Sequence, residues 1–396
     1  MQELEKQFGI RNEELGILRG LIVLALFSAD SKRLLRRVDW ALLLAATAIV
    51  IYGLVIISSA THINTPGEER FWFVQRQGIF ALVNAILAII FMNFDYRGLS
   101  QHGRKLYVFN LIMLVAVMLF GHAALGAQRW IQIGPISLQP SEFSKLIMII
   151  CMASILEDRM GRLNTIQDLL PIALFVGLPF LLVLKQPDLG TSLVFMAIFF
   201  GMVIACGMPW RIFTFIVVVG VAAMPVLWQF LKDYQKMRIM VFIDPNVDPL
   251  GSGYHIIQSK IAIGSGMLFG KGLFQGTQSQ LNFLPENHTD FIFAVVGEEL
   301  GFAGAVVLLL LYLIVLWRGI QIAKEASDVF GRLLAVGITS MLAFHVLVNV
   351  GMTTDIMPVT GIPLPLMSYG ISSLTTNILA IAILLNVHLY KQKFIW

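Results

Sequence analysis

Long apolar runs separated by short polar segments dominate the chain, and their lengths predict a membrane protein. A helix that crosses a hydrocarbon core of about 30 Å needs about 20 predominantly apolar residues. Ten segments meet or approach that length, at 38–60, 72–94, 106–122, 141–157, 168–185, 190–207, 210–231, 290–317, 331–355 and 364–389. The pattern therefore predicts an all-α polytopic membrane protein with about ten transmembrane helices.

A polar stretch at residues 232–290 interrupts this pattern between the seventh and eighth predicted helices. Most of the 28 lysines and arginines fall in segments that would share a side with both termini. Since cytoplasmic loops of membrane proteins carry an excess of Lys and Arg, we expect both termini in the cytoplasm. The 232–290 segment then becomes a large extracytoplasmic loop.

Composition supports this class and excludes an ordinary soluble domain. Of the 396 residues, 57% are hydrophobic and 13% are charged, whereas soluble proteins carry about 25% charged residues. The net charge of +4 fits a basic cytoplasmic face, and no nucleic-acid partner is expected. Cys151 and Cys206 lie in apolar runs and are expected to be buried thiols without a disulfide.

Residues 1–37 differ from the rest of the chain. Their apolar centre at 21–27 is too short to span a membrane, and Lys32 and Arg33 follow it closely. The acidic residues Glu3 and Glu5 near the start argue against a secretory signal. We expect a cytoplasmic leader, either an interfacial helix or disordered, followed by a single transmembrane domain over residues 38–396.

Ionisable groups at the membrane edge are the first candidates for chemistry. A charge near the bilayer centre costs about 2.5–3.5 kcal/mol, so it persists when it has a partner or a task. Glu142 and Lys145 follow a helix start at Pro140 and are three residues apart, hence neighbours on one helical face. They form a structural ion pair, or Lys145, together with Arg129 in the preceding loop, presents positive charge to an anionic lipid headgroup.

Two further acidic sites lie near predicted helix ends. Asp188 precedes an apolar run and is well suited to be a helix N-cap. Glu298 and Glu299 lie about two turns inside the eighth predicted helix. Because carboxylates there must be paired, protonated or solvated, they suggest water or a polar groove.

Asp290 ends the polar stretch directly before the apolar run of the eighth helix. One interpretation is that Thr289 or Asp290 starts that helix, where the helix dipole favours an anion. The other is a general base in a membrane-edge pocket, where burial would raise the carboxylate pKa. The residues alone leave these two interpretations equal.

Two other motifs carry little weight. Residues 264–266 and 270–272 resemble fragments of phosphate-binding loops, but no strand precedes them and no Ser or Thr follows Lys271, so no nucleotide is expected. His255 and His288 have no metal-ligand spacing and are expected to be solvated loop residues.

The chain resembles the SEDS family, the membrane glycosyltransferases that polymerise bacterial peptidoglycan, from about Val38 to His388. The matching segments are GAQRWI at 126–131, QPSEFSK at 139–145, QPDLG at 186–190, GYHIIQSKIAIGSG at 253–266, FLPENHTDFIF at 283–293 and PVTGIPLPLMSYG at 358–370. Six ordered matches in one chain form a specific pattern.

Within the family, the chain resembles the RodA branch of elongation enzymes more than the FtsW branch of division enzymes. The segments that carry this resemblance are GTQSQL at 276–281, FLPE at 283–286, NVGM at 349–352 and GIPLP at 361–365. Ile371 and Asp355 depart from the family pattern, because a second glycine and a small residue are usual at these positions.

The resemblance implies a function in the bacterial inner membrane, with the active site on its extracytoplasmic side. It aligns Asp290 with the family's essential aspartate and implies lipid II, a disaccharide pentapeptide on undecaprenyl pyrophosphate, as substrate. Transfer from an alpha pyrophosphate to a beta-1,4 linkage inverts the anomeric carbon in one step. Asp290 would then take the proton from the acceptor 4-hydroxyl.

The resemblance also directs the search for groups that meet the pyrophosphate charge. Arg, Lys or a divalent cation such as Mg²⁺ or Mn²⁺ would supply it, and the sequence does not identify a metal. Glu142 would orient Lys145, a groove past Glu298 would admit the lipid tail, and Asp188 is assigned to the same substrate site. The candidate cations are Lys145, Arg129, Arg238, Lys260 and Lys271.

Two alternatives to an enzyme remain, a lipid II flippase and a noncatalytic scaffold of the elongation machinery. Transporters usually bind at the bilayer midplane, whereas the acidic residues here gather towards the outer face. The resemblance further implies a class B penicillin-binding protein, a single-span transpeptidase, and other elongation-machinery membrane proteins as partners.

Overall fold

The computed structural model describes residues 37–62, 71–124, 127–134, 136–249 and 251–391, so the predicted leader lies, except for Arg37, outside the described residues. The described part is almost entirely helical. The α-helices are α1 (Trp40–Ala60), α2 (Trp72–Met92), α3 (Gly103–Phe120), α4 (Pro140–Glu157), α5 (Ile166–Lys185), α6 (Leu189–Ala205), α7 (Trp210–Phe230), α8 (Asp233–Ile243), α9 (Ser252–Ser265), α10 (Thr277–Gln280), α11 (Ile292–Glu299), α12 (Gly301–Glu325), α13 (Val329–Thr353) and α14 (Ile371–Tyr390), with 3₁₀ helices at Tyr96–His102 and Pro245–Val247.

Each of the ten predicted membrane segments overlaps one or two helices of the structure. Seven helical segments in the described part are long and apolar enough to cross a membrane, namely α1, α2, Tyr96–Phe120, α5, α12, α13 and α14. Helices α6 and α7 provide shorter apolar stretches, Leu189–Ala205 and Trp210–Val226. Helix α4 contains Glu142 and Lys145 in its first two turns. Seven segments meet the length and composition of a membrane span, and α4, α6 and α7 do not, so the count of ten crossings stays a prediction.

Helix α13 forms the centre of the bundle. It packs against α4, α6 and α12, while α14 packs mainly against α2. About two-thirds of the residues in the most apolar part of α13 are buried. In α7, by contrast, none of the described side chains is buried. Exposed apolar side chains on α7 fit contact with lipid, which is as apolar as they are. Cys151 and Cys206 are buried and free, as predicted.

The eighth predicted segment, 290–317, is two helices rather than one. Helix α11 ends at Glu299, and α12 begins at Gly301, whose φ of +64° lies in the left-handed region. A Cβ at Gly301 would lie 2.3 Å from the Gly270 backbone nitrogen. Glycines in the 264–272 segment thus allow backbone to approach this break, which explains the motif that resembled a phosphate loop.

The hydrophobic pattern did not predict two short features, a small sheet and the start of the last helix. Strands β1 (His122–Ala124), β2 (Ala127–Ile133) and β3 (Ile136–Leu138) form a small antiparallel sheet in that order. The tenth predicted segment, 364–389, becomes helix α14 only from Ile371 onward, because Pro363 and Pro365 lack backbone donors and disfavour helix.

The polar stretch at 232–290 is folded rather than a plain loop. It contains α8, α9 and α10, and α9 packs against α11 and α13. This packing brings the end of the stretch, with Asp290, against the bundle core.

Candidate functional site

Asp290 lies between α10 and α11, outside the membrane-spanning helices, where backbone contacts join its segment to the 358–370 loop. The Asn349 Nδ2 of α13 donates to the carbonyl oxygens of Asp290, at 2.9 Å, and Ile362, at 2.8 Å. The Ser368 hydroxyl donates to the Thr289 carbonyl at 2.6 Å. These contacts hold the Asp290 backbone from two sides.

The Asp290 carboxylate does not cap a helix. Helix α11 begins at Ile292, and its N-cap is Phe291, without a side-chain hydrogen bond. The expectation that Thr289 or Asp290 starts this helix is therefore wrong, because the chain turns once more before it becomes helical. Within the described ranges, the half-buried carboxylate makes no hydrogen bond and no salt bridge.

Gly361 provides the space beside this carboxylate. Its φ of +72° is in the left-handed region, and a Cβ added there would lie 3.3 Å from Asp290 Oδ2. A larger residue at 361 would therefore strain the backbone and press on the carboxylate.

The surroundings raise the pKa of Asp290 to about 7. Burial is the largest cause, and the negative charges of Glu286 and Asp188 act in the same direction. Arg238 and Arg129 act in the opposite direction. A carboxylate with this pKa can accept a proton near neutral pH.

Of the five predicted cations, Arg129 and Arg238 are the two whose positive charges lower the pKa of Asp290. Arg129 lies in β2, donates from Nε to the Gln186 carbonyl at 3.0 Å and from Nη2 to the Pro187 carbonyl, and lies 3.7 Å from Asp188. Arg238 of α8 donates to the Thr360 carbonyl at 3.4 Å. Arg129 thus contacts two backbone carbonyls and the Asp188 carboxylate, and Arg238 contacts the Thr360 carbonyl.

Asp188 is the N-cap of α6, as predicted. Its carboxylate accepts from the Thr191 backbone N–H at 3.2 Å, the Thr191 hydroxyl at 3.0 Å and the Gln139 amide at 3.3 Å. This carboxylate is buried and supplied with donors, in contrast to that of Asp290.

Glu142 and Lys145 form the predicted ion pair, at 2.8 Å, and both are buried. Lys145 Nζ also lies 3.0 Å from His345 Nε2. Because an ammonium group only donates, Nε2 accepts, and the His345 Nδ1–H donates to the Pro363 carbonyl at 3.2 Å. Contact of Lys145 with a lipid headgroup stays a prediction, since only 1% of this residue is exposed.

Lys271 and Glu298 form a separate cluster. Lys271 Nζ donates to Glu298 at 2.8 Å, and Gln278 N, Ser279 N, the Ser279 hydroxyl and the Thr277 hydroxyl donate to the same carboxylate at 2.8–3.3 Å. Glu298 is 0% exposed. Protein groups therefore satisfy this carboxylate, instead of the water or polar groove that the sequence suggested.

The remaining candidates are also placed. Lys260 of α9 forms a 2.9 Å salt bridge with Asp355, the residue that departs from the family pattern. Glu299 accepts from Ser59 at 2.6 Å. His255 stacks on Phe291, His288 packs against Phe73 and Tyr369, and both are half-buried, so the expectation of solvated histidines is wrong.

Among the described residues, no three His, Cys, Asp or Glu side chains converge to hold a metal ion. A divalent cation bound here would therefore need oxygen ligands from the substrate. The sequence missed Asn349 and His345, which lie one turn apart on α13 and hold the 358–370 loop. Both are polar residues inside an apolar run, and Asn349 also begins the NVGM segment of the resemblance.

The comparisons with known proteins agree with this architecture. The family model of FtsW, RodA and SpoVE, described as "Cell cycle protein", matches residues 39–393. Peptidoglycan glycosyltransferase MrdB of Escherichia coli strain K12 is 40% identical over 355 residues, which cover 89% of this chain and 94% of MrdB.

Solved structures show the same fold. A chain in the structure "Structural coordination of polymerization and crosslinking by a peptidoglycan synthase complex" has a TM-score of 0.75 and 34% identity, and the match covers 90% of this chain and 99% of that chain. Rod shape determining protein RodA of Thermus thermophilus has a TM-score of 0.67 and 32% identity, covering 90% and 98%. The chain is thus a multi-pass membrane protein that belongs to the FtsW, RodA and SpoVE family, the SEDS family.

Proposed function

We propose that this protein is a peptidoglycan glycosyltransferase that joins lipid II disaccharides by inverting beta-1,4 transfer, during cell elongation and cell-shape maintenance. The observation that carries the proposal is the Asp290 carboxylate, which has no hydrogen-bond donor among the described residues and a pKa of about 7. The glycosyltransferase name of MrdB and the rod-shape name of RodA support the activity and the process.

The reaction is a single displacement at the anomeric carbon of the donor. The acceptor 4-hydroxyl oxygen attacks that carbon while the bond to the pyrophosphate oxygen breaks. Asp290 takes the hydroxyl proton as the new bond forms, and undecaprenyl pyrophosphate leaves with the electron pair. Pyrophosphate is a good leaving group, so one carboxylate suffices, whereas inverting glycosidases need an acid as well as a base.

Arg129 and Arg238 are the cations best placed to stabilise the departing pyrophosphate. Both lower the pKa of Asp290, and backbone carbonyls hold both guanidinium groups in place. Preorganised cations stabilise developing negative charge at little reorganisation cost. Lys145, Lys260 and Lys271 each contact a carboxylate at 2.8–2.9 Å, closer than the 3.7 Å between Arg129 and Asp188, so binding by these lysines would require a shared or exchanged partner. A divalent cation on the substrate pyrophosphate would add to this charge.

A flippase has one structural feature in its favour, the break between α11 and α12. Transporters often bind substrates at broken helices with free ionisable groups. Here Glu298 is saturated by protein donors, and Glu299 accepts from Ser59 and Gln280. Of these three carboxylates, Asp290 alone has no donor among the described residues, and this favours chemistry over transport.

The proposed setting is the bacterial inner membrane, with both termini in the cytoplasm and Asp290 on the extracytoplasmic side. The Lys and Arg distribution supports this orientation. A class B penicillin-binding protein is the proposed partner, because a chain of similar fold belongs to a peptidoglycan synthase complex that couples polymerization and crosslinking.

The test compares wild type with Asp290→Asn, each purified with the transpeptidase partner and supplied with lipid II, with and without Mg²⁺ or Mn²⁺. We expect glycan strands from wild type alone. Fluorescent lipid II in sealed vesicles, assayed for transbilayer movement in the same preparations, separates a flippase from a polymerase. Polymer from both proteins would reject Asp290 as the base, and flipping without polymer would reject the enzyme.

A further inference from the structure

Side chains rather than backbone pairing hold residues 358–363, the stretch that passes beside the Asp290 carboxylate. Among the residues that the structure describes, no backbone–backbone hydrogen bond includes a member of this stretch. Pro358 and Pro363 have no backbone N–H to donate. Three side chains donate to its carbonyl groups instead, Arg238 to Thr360, Asn349 to Ile362 and His345 to Pro363. The position of the stretch therefore depends on these three donors.

Gly361 connects the position of this stretch to the proposed base. It lies between two of the held carbonyl groups, and a Cβ added to it would lie 3.3 Å from Asp290 Oδ2. A shift of the stretch would therefore change the space beside the carboxylate. A misplacement of about 1 Å can cost about 10²-fold in rate, so a donor that holds this stretch can affect catalysis without contacting the substrate.

His345 is the donor that also reaches a buried ion pair. Its Nε2 lies 3.0 Å from Lys145 Nζ, and Lys145 is paired with Glu142 at 2.8 Å. Helices α4 and α13, which carry these residues, pack directly against each other. All three residues are buried, so water does not compete for these contacts.

Lys145 determines which nitrogen of the His345 imidazole carries the proton. An ammonium group only donates, so Nε2 accepts from it and the proton of the neutral ring lies on Nδ1. Nδ1 then donates to the Pro363 carbonyl at 3.2 Å. In the other tautomer, the lone pairs of Nδ1 and of the carbonyl oxygen would face each other. The ion pair thus keeps His345 in the one neutral form that holds Pro363.

We propose that His345 is a positioning residue for polymerisation, which holds the Pro363 carbonyl in the tautomer that the Glu142–Lys145 pair selects. The inference rests on the proposed function, in which Asp290 is the base. It gives the buried pair an indirect role in the reaction, through His345 and the 358–363 stretch, and requires no contact between Lys145 and the substrate. A histidine that only filled the core would affect stability alone.

The test measures kcat and KM for lipid II, using the full chain together with its transpeptidase partner. His345→Leu loses both contacts and should lower kcat by about 10- to 100-fold with little change in KM. Asn84→Leu is the matched control, because Asn84 is buried and donates to Thr375 at 3.0 Å rather than to the 358–363 stretch. It should keep the wild-type kcat at a similar loss of thermal stability.

Asn and Gln separate the two contacts of His345, because an Asn amide reaches the position of Nδ1 and a Gln amide reaches that of Nε2. His345→Asn keeps a donor for Pro363 and should retain most of kcat. His345→Gln keeps only an acceptor for Lys145 and should lose as much kcat as His345→Leu. Thermal unfolding shows whether each variant is folded, and these two variants decide the question if His345→Leu is not.

Combined variants test whether the ion pair acts through His345. Glu142→Gln with Lys145→Met removes the pair, and adding His345→Leu should lower kcat no further than the larger of the two separate effects. Effects that multiply would overturn the inference, because Lys145 would then act independently of His345. Normal kcat in His345→Leu, or retention by His345→Gln instead of His345→Asn, would overturn it and leave the proposed function intact. Wild type that makes no polymer would overturn both.

Discussion

Asp290 and Glu298 are eight residues apart at opposite ends of α11, yet their surroundings are opposite. Glu298 is 0% exposed and accepts hydrogen bonds from Lys271, Gln278, Ser279 and Thr277. Asp290 is half-buried, has no donor among the described residues and has a pKa of about 7. A saturated carboxylate stabilises the fold, whereas an unsatisfied one keeps its lone pairs for a substrate.

The largest expected effect is on activity at Asp290. Asp290→Asn should reduce polymerisation by about 10²–10⁴-fold, because the amide cannot accept the acceptor proton. Strand synthesis from lipid II measures it. Since the raised pKa means that folding disfavours the charged form, the variant should be at least as stable as wild type above pH 7. Early unfolding of Asp290→Asn would make it a structural residue like Glu298.

For Glu298, the expected effect is on stability, in contrast to the effect on activity expected at Asp290. Glu298→Ala should lower the free energy of unfolding by about 2–3 kcal/mol, because it removes the buried acceptor of several donors, among them two backbone N–H groups. Thermal unfolding in detergent measures the loss. Asp290→Ala is the matched control and should not lower the free energy of unfolding at pH 7 or above, because burial disfavours the charged form of Asp290. Equal losses of stability in Glu298→Ala and Asp290→Ala would contradict the assignment of a structural role to Glu298 alone.

Asn349 tests whether the Asp290 backbone must be held in place. Asn349→Leu should reduce polymerisation about 10²-fold through kcat with little change in KM, because a small displacement of a catalytic group is costly. Asn386→Leu is the matched control, since Asn386 donates to the Phe91 carbonyl at 3.0 Å and the Phe94 carbonyl at 2.7 Å, far along the chain from Asp290. Both variants should lose similar stability, and equal loss of activity would reject a positioning role.

The smallest effect is a shift in pH dependence. Polymerisation should rise with pH towards about 7, as Asp290 loses its proton. Glu286→Gln removes a neighbouring negative charge, so it should move this midpoint to lower pH, and Arg238→Gln should move it to higher pH. Asp158→Asn, at the exposed end of α4, removes a charge without moving the midpoint. Shifts in the same direction would show that another group titrates.

The predictable features are those that depend on nearby residues. Ten apolar segments overlap helices of the structure, the Glu142–Lys145 pair follows from their spacing, and Asp188 caps α6 because it directly precedes it. Each follows from helical periodicity or from contacts within four residues. The break at Gly301 was missed, because it depends on backbone contact with the 266–272 segment, which belongs to another part of the pattern.

The sequence by itself determined the class of protein, the approximate positions of its helices and the short list that contained Asp290. Only the tertiary structure decided which of these carboxylates accepts hydrogen bonds from the protein and which does not. Donors from Lys271 and Ser279 reach Glu298 across 27 and 19 residues, and Asn349 reaches the Asp290 carbonyl across 59. Hydrogen-bond saturation and desolvation arise from groups that the fold brings together, so spacing along the chain does not encode them.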